Sequence, residues 1–314
     1  MSKIRIQSSE SSPRRHSVVS TQSSSLSLRI ADITFTIFSV DADLKLQIQG
    51  SARNFIVPDG IPDFTTEARW DDLSPMKIRG EKIFESGAIW KLYQNKENYI
   101  FYFHASNMGS IPYKMAEAKK DFTRCEVLLH RSYFDPDQPM DPLEYPLDEL
   151  LFIHFLALGR GVEVHSCGLI DSLGRGHLFV GQSGAGKTTM ARLWEGESGI
   201  TVLSDDRIIL RKVDGQLWMY GTPWHGEARL ASPARAPLTR VYFLKRGWEN
   251  ELVPLRMAES TGNLISCSFL PFYDPEALSF TLVFFEEVVR AVPCYELRSL
   301  PDKRVVEFIN NIVE

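Results

Sequence analysis

The chain has 314 residues, of which 44% are hydrophobic and 24% charged, a composition that excludes a predominantly disordered protein. Its length predicts two domains. The 35 Lys and Arg residues against 40 Asp and Glu residues leave a formal charge of −5, which argues against a nucleic-acid partner.

The four cysteines are far apart and form no C-x-x-C pair, a pattern typical of a reduced, cytoplasmic protein rather than a disulfide scaffold or zinc site (Cys125, Cys167, Cys267 and Cys294). The longest apolar stretches, residues 150–158 and 280–285, are shorter than the roughly 20 residues that span a bilayer. We therefore expect no membrane association.

Residues 1–27 are rich in serine and predict a disordered tail. Residues 28–143 predict a β-rich accessory domain, whose role in recognising substrate stays open. Residues 30–39, 88–94 and 99–103 carry the β-branched and aromatic content of strands, and residues 95–98 resemble a hairpin loop.

A proline-rich stretch at residues 135–142 marks the boundary, so residues 144–314 predict a second domain. Its first element is an apolar helix from about residue 146 to 158, in which His154 is interpreted as a buried, hydrogen-bonded imidazole. The remainder mixes strands and helices, which predicts an α+β or α/β fold. The strands are 162–170, 177–180, 201–204, 216–220, 239–246 and 292–297; the helices are 189–194, 275–289 and 304–313.

The strongest motif follows the strand at 177–180 and precedes a helix. It matches G-x-x-x-x-G-K-[ST] and comprises Gly181, Gln182, Ser183, Gly184, Ala185, Gly186, Lys187 and Thr188, with Thr189 as the next nucleotide-binding candidate. Glycines let backbone N–H groups converge on phosphate oxygens, and the helix N-terminus adds positive charge. Lys187 would neutralise phosphate charge and Thr188 would offer a hydroxyl to Mg²⁺, so the motif predicts ATP and Mg²⁺ as cofactors.

Two adjacent acids, Asp205 and Asp206, end the strand at 201–204, where a Walker-B carboxylate is expected. They can divide two tasks between them. One can hold Mg²⁺ while the other accepts the proton of an attacking hydroxyl.

The order of residues 164–171, 181–188 and 203–207 resembles the C-terminal catalytic domain of HPr serine kinase/phosphorylase, a P-loop fold related to phosphoenolpyruvate carboxykinase. Residues 221–227 are similar to those of HPr-kinase-like proteins of peptide modification, including lasso-peptide kinases. The resemblance covers about residues 147–300. It implies that His165 lies beside Asp205, that Asp205 is the catalytic base, and that Asp206 lies nearer the metal.

Two departures from the family limit what the resemblance implies. The acidic-Arg-Gly signature of true HPr kinases is not recognisable, and residues 226–229 are at best a rearranged relative, so reverse phosphorolysis is not implied. The β-rich half does not resemble the N-terminal domain of those enzymes. Recognition of the carrier protein HPr is therefore not implied either.

The loop at residues 221–229 supplies the substrate-contact candidates Trp224, His225, Glu227 and Arg229. Trp224 could stack on a base or peptide side chain, Glu227 could be a second metal ligand, and Arg229 or Arg235 could meet phosphate. The alternative is a structural loop whose tryptophan packs on the core.

The residues together favour an ATP- and Mg²⁺-dependent kinase that phosphorylates a hydroxyl, most simply a serine of a peptide or protein, as in peptide tailoring. One alternative is a nucleotide-binding regulator or scaffold without phosphoryl transfer. Another is a carboxykinase-type phosphotransferase for small molecules. The acceptor, the donor among ATP, GTP and pyrophosphate, and whether the chain forms a homo-oligomer stay open.

Overall fold

A computed structural model describes residues 25–87 and 89–313. Most of the predicted tail at residues 1–27, and Ala88 of the predicted strand 88–94, lie outside these residues. The tail prediction is wrong at its end, because Ser25 already begins the first strand and the buried Ser27 hydroxyl hydrogen bonds with Thr36 Oγ1 at 2.8 Å.

The first half of the chain forms a sheet of nine strands in the order β3-β1-β2-β4-β9-β8-β7-β6-β5, among the described residues. The strands are β1 (Ser25–Ile30), β2 (Ile33–Ser39), β3 (Ile56–Val57), β4 (Phe64–Asp71), β5 (Glu81–Glu85), β6 (Trp90–Gln94), β7 (Asn98–His104), β8 (Pro112–Lys119) and β9 (Arg124–His130). The predicted hairpin at 95–98 is confirmed, since Asn95 Oδ1 accepts the N–H groups of Glu97 at 2.9 Å and Asn98 at 2.8 Å. Short 3₁₀ helices lie at Gly50–Phe55 and Ser106–Met108.

Helix α1 (Leu147–Ala157) completes the core of this first sheet, although the sequence assigned it to the second domain. The Phe152 ring packs edge-on against Phe35, with centroids 5.2 Å apart. Trp224 and Tyr220 of the second half belong to the same apolar cluster. The first sheet covers one side of α1 and residues of the second half cover the other, which explains why the helix is apolar on most of its surface.

The second half forms another large sheet with four helices. Its strands are β10 (Val162–Ile170), β11 (Gly176–Val180), β12 (Thr201–Ser204), β13 (Arg207–Val213), β14 (Gln216–Gly221), β15 (Arg235–Arg246), β16 (Glu251–Pro254), β17 (Ser268–Phe269) and β18 (Cys294–Ser299). The helices are α2 (Lys187–Trp194), α3 (Met257–Ser266), α4 (Pro275–Ala291) and α5 (Arg304–Val313). The fold is therefore mixed α/β, with two large sheets.

The sheet order β11-β10-β13-β14-β15-β18-β16 curls back on itself, because β11 also pairs with β15. Strands β12 and β17 pair with β10. Strands β11, β15 and β18 run parallel, so their carboxyl ends lie at one edge of the sheet. That edge is where ligands bind in open α/β sheets.

Most strand and helix predictions in this half are confirmed. A two-residue hairpin at Asp214 and Gly215 joins β13 to the predicted strand at 216–220 (β14), with both residues at positive φ of 50° and 79°. The predicted helix 275–289 extends to Ala291, and Asp274 Oδ1 caps it by accepting the N–H of Glu276 at 2.9 Å. Within the described ranges, no helix has the length and apolarity needed to cross a membrane.

Candidate active site

The G-x-x-x-x-G-K-T segment lies between β11 and α2 and turns at two glycines. Gly184 has a φ of +81° and Gly186 a φ of +108°, which other residues adopt only with strain. A Cβ atom at either position would meet no atom within 4 Å, so the outer face of the loop is open. The first N–H groups of α2 have no intrahelical partner and lie at this open face, an arrangement suited to an anion.

Lys187 begins α2 and folds over the loop. Its Nζ donates hydrogen bonds to the carbonyl oxygens of Gly181 at 2.8 Å and Gln182 at 3.1 Å. Burial lowers the pKa of the ammonium, and the nearby carboxylate of Asp206 partly opposes that effect. Lys187 therefore places a positive charge within the loop, close to an acid.

The two aspartates after β12 have different environments. The side chain of Asp205 has no exposed surface and accepts the N–H of Gly226 at 2.9 Å and that of Ala228 at 3.0 Å. Asp206 is partly exposed, and its Oδ1 hydrogen bonds with His165 Nε2 at 2.9 Å. The two acids lie in the bend between β12 and β13, and their side chains contact different partners.

The predicted position of His165 beside Asp205 is therefore wrong. The histidine lies on β10 directly opposite Arg207 of β13, and this register brings its ring to Asp206. The base role expected of Asp205 does not fit its enclosure, because the loop at Gly226 covers it: a Cβ on Gly226 would lie 2.7 Å from Asp205 Oδ2. Asp205 holds the loop at Gly226 in place, whereas Asp206 faces the glycine-rich phosphate-binding loop (P-loop) at residues 181–188.

The charge of Asp206 is balanced by a group of buried residues that the sequence analysis did not find. Burial raises the pKa of Asp206, but the hydrogen bond with His165 and the contact with Arg207 more than offset this, so its pKa lies below the ordinary value. Arg207 Nε lies 2.6 Å from Glu149 Oε1 and 3.4 Å from Glu163 Oε1. Burial, followed by the neighbouring Glu149, raises the pKa of Glu163 well above its ordinary value.

This group was missed for identifiable reasons. Glu149 lies three residues after Pro146, where it has the position of an ordinary first-turn helix acid, and Glu163 is a single acid within an apolar strand. The signal that could have found it is an acid in a strand buried on both faces, because such a charge needs a partner.

Trp224 is buried, so the structural interpretation of its loop is confirmed and the stacking role is wrong. Its Nε1 donates to Asp148 Oδ2 at 2.7 Å, and its ring packs edge-on against Phe152 at 5.5 Å. Burial raises the pKa of Asp148 to about 7. The tryptophan thus attaches the loop to α1.

The other residues of the loop divide between the cleft and the protein surface. Glu227 is exposed and lines the cleft in front of the P-loop. His225 is partly buried, and its Nδ1 lies 2.9 Å from the Gly226 carbonyl oxygen. Arg229 is exposed but is not among the residues lining the cleft. Arg235 contacts Asp32 and Tyr220, so its proposed contact with phosphate is wrong.

The cleft has a volume of about 940 Å³ and brings most of the predicted residues together. Its P-loop side comprises Ser183, Gly184, Ala185, Gly186, Lys187, Thr188 and Thr189, and facing residues include His165, Asp206 and Glu227. Asp205 and Trp224 are not part of its lining. Backbone N–H groups and an ammonium that can bind phosphate, the hydroxyl of Thr188 and the His165–Asp206 pair therefore line one cleft.

No protein-family model matches the chain, and no curated protein matched it in a sequence search. The described residues contain no group of three or more His, Cys, Asp or Glu side chains that could hold a metal ion by themselves.

Proposed function

We propose that this protein is an ATP- and Mg²⁺-dependent kinase that transfers the γ-phosphoryl group to a hydroxyl, most simply the serine of a peptide or protein. One observation carries the proposal: the open glycine loop with Lys187 lies in the same cleft as the His165–Asp206 pair. Phosphoryl transfer depends mainly on positioning and charge neutralisation, and these residues supply both.

The chain's own groups have separate tasks in this reaction. The N–H groups at the start of α2 and the Lys187 ammonium bind the β- and γ-phosphates. The acceptor oxygen forms a bond to the γ-phosphorus while the bond from that phosphorus to the bridging oxygen breaks and leaves ADP. Asp206 accepts the hydroxyl proton, and His165 holds the carboxylate in place. The lowered pKa of Asp206 keeps its carboxylate ionised near neutral pH, so it is free to accept that proton.

The oxygen groups in the cleft fit Mg²⁺. That ion usually takes only one or two protein ligands, because phosphates and water complete its octahedral shell. Thr188 and Glu227 would hold it, since the oxygen atoms of both side chains belong to residues that line the cleft. Asp206, which the sequence assigned to the metal, takes the proton in this proposal because it is paired with His165. When bound, Mg²⁺ would neutralise charge on the transferring phosphate.

The acceptor class rests on the resemblance of the motifs to peptide-modifying HPr-kinase-like proteins. The compartment proposed is the cytoplasm, a reducing environment that suits the four buried cysteines, which are all free. A homo-oligomer is compatible with these tasks but is not required by them.

The test is transfer of labelled γ-phosphate from ATP to a library of serine, threonine and tyrosine peptides, with oxaloacetate as a separate substrate. We expect label on serine peptides with the wild type and none with Asp206→Asn. Binding of ATP without transfer to any acceptor would favour the regulator or scaffold. Nucleotide-dependent decarboxylation of oxaloacetate would favour the carboxykinase-type reaction.

A further inference from the structure

The cleft extends to both sides of the P-loop. On one side, β10 and β12 carry His165 and Asp206 to the cleft, and β10 pairs with β11. On the other side, β11 pairs with β15 and β15 with β18, with Val180 opposite Phe243 and Arg246 opposite Ser299. A triphosphate whose γ-phosphate points to Asp206 therefore directs the rest of the molecule toward the carboxyl ends of β15 and β18.

An exposed indole lies in the part of the cleft near the carboxyl ends of β15 and β18. Trp248 is 97% exposed and lines the cleft, together with Leu300 and Pro301 after β18. Its position in the wall of the cleft that holds the glycine loop, and not its exposure alone, makes the flat indole face available to a ligand bound there. Lys245 and Arg246, which precede it, also line this end of the cleft, and Lys245 Nζ is ion-paired with Glu296 Oε2 at 3.2 Å.

Hydrogen bonds hold the backbone of the loop that carries Trp248, whereas the indole itself is exposed. The Gly247 N–H donates to the Ser299 carbonyl oxygen at 3.1 Å, and Leu300 N–H donates to Asn250 Oδ1 at 3.4 Å. A Cβ on Gly247 would lie 2.9 Å from Arg298 Cβ, so the two loops approach closely. The base of the tryptophan is thus held against the loop after β18.

We propose that Trp248 is the stacking platform for the nucleobase of the phosphoryl donor, a proposal that rests on nucleotide binding in the proposed function. The base lies on the indole beside Leu300 and Pro301, and the phosphates extend from there to the P-loop. Stacking on a ring does not distinguish one base from another, because each base has a π-face. A nucleoside triphosphate should therefore bind more tightly than bare tripolyphosphate, which has no base to stack.

The test is calorimetric binding of ATP, GTP and tripolyphosphate, each with Mg²⁺, to the wild type, Trp248→Ala and Trp248→Phe. Phe272→Ala is the matched control, because Phe272 is also a largely exposed aromatic residue but does not line the cleft. We expect Trp248→Ala to weaken ATP and GTP about tenfold, the size of one base–aromatic stack, and to leave tripolyphosphate unchanged. Trp248→Phe and Phe272→Ala should stay within about twofold of the wild type.

Unchanged ATP affinity in Trp248→Ala would overturn the platform but leave the proposed function intact, provided that ATP and tripolyphosphate still bind the wild type. Equal weakening of ATP and tripolyphosphate would also overturn it, because the tryptophan would then act on the phosphate loop and not on the base. If neither ligand binds the wild type, the proposed function fails and the platform fails with it.

Discussion

The paired substitutions Asp205→Asn and Asp206→Asn should separate stability from chemistry. Asp205 accepts two backbone N–H groups in a fully buried position. An asparagine would replace one acceptor by an NH₂ donor that faces an N–H donor. Loss of a charge-assisted hydrogen bond costs about 1.5–3 kcal/mol and an unsatisfied buried donor about 1–3 kcal/mol, so we expect the free energy of unfolding to fall by about 3 kcal/mol.

Asp206→Asn should reduce phosphoryl transfer strongly and stability only slightly. Its side chain is 23% exposed, and Arg207 keeps its partner Glu149 when the charge is removed. We expect a loss of only about 1 kcal/mol in stability and a loss of phosphoryl transfer of at least about 100-fold, the contribution of a general base. Urea unfolding and transfer of labelled phosphate, both measured at a temperature where the variants are folded, give the two quantities. A stable but inactive Asp205→Asn beside an active Asp206→Asn would refute the reasoning.

Three further changes test neighbouring parts of the account. Trp224→Phe keeps the ring contact with Phe152 but removes the donor to Asp148, so urea unfolding should show a loss of about 1–3 kcal/mol with unchanged ATP affinity. Burial lowers the pKa of His154 to about 4, so between pH 6.5 and 4 the imidazole binds a proton in the unfolded state but not in the folded one. Lowering the pH through this range should therefore reduce the free energy of unfolding by up to about 3 kcal/mol more in the wild type than in His154→Gln. Glu227→Gln should raise the Mg²⁺ concentration needed for transfer about tenfold or more, and an unchanged requirement would remove it as a ligand.

The sequence predicted local structure well where short-range physics decides it. Asn95 in the hairpin at 95–98 and the proline at the start of α4 each fix backbone geometry within a few residues, and these two elements are confirmed. The glycine loop between β11 and α2 was likewise predicted from its own residues.

The sequence could not decide which neighbouring residue turns inward. Asp205 and Asp206 are chemically alike, and only the pairing of β10 with β13 brings His165 to the second of them. Trp224 fits a ligand platform or a core residue equally well until α1 is seen to cover it. The sequence also could not show that α1, which it assigned to the second domain, packs against both halves, with Phe152 contacting Phe35 on one side and Trp224 on the other.

The measurement that tests the central claim most directly is titration calorimetry of Mg²⁺·ATP with the wild-type protein and Lys187→Ala. If the loop and its lysine grip the phosphates, the wild type should bind and the variant should bind at least about tenfold more weakly, since one charge-assisted contact to phosphate is lost. Equal affinity in the two proteins, or no heat of binding with the wild type, would contradict the account.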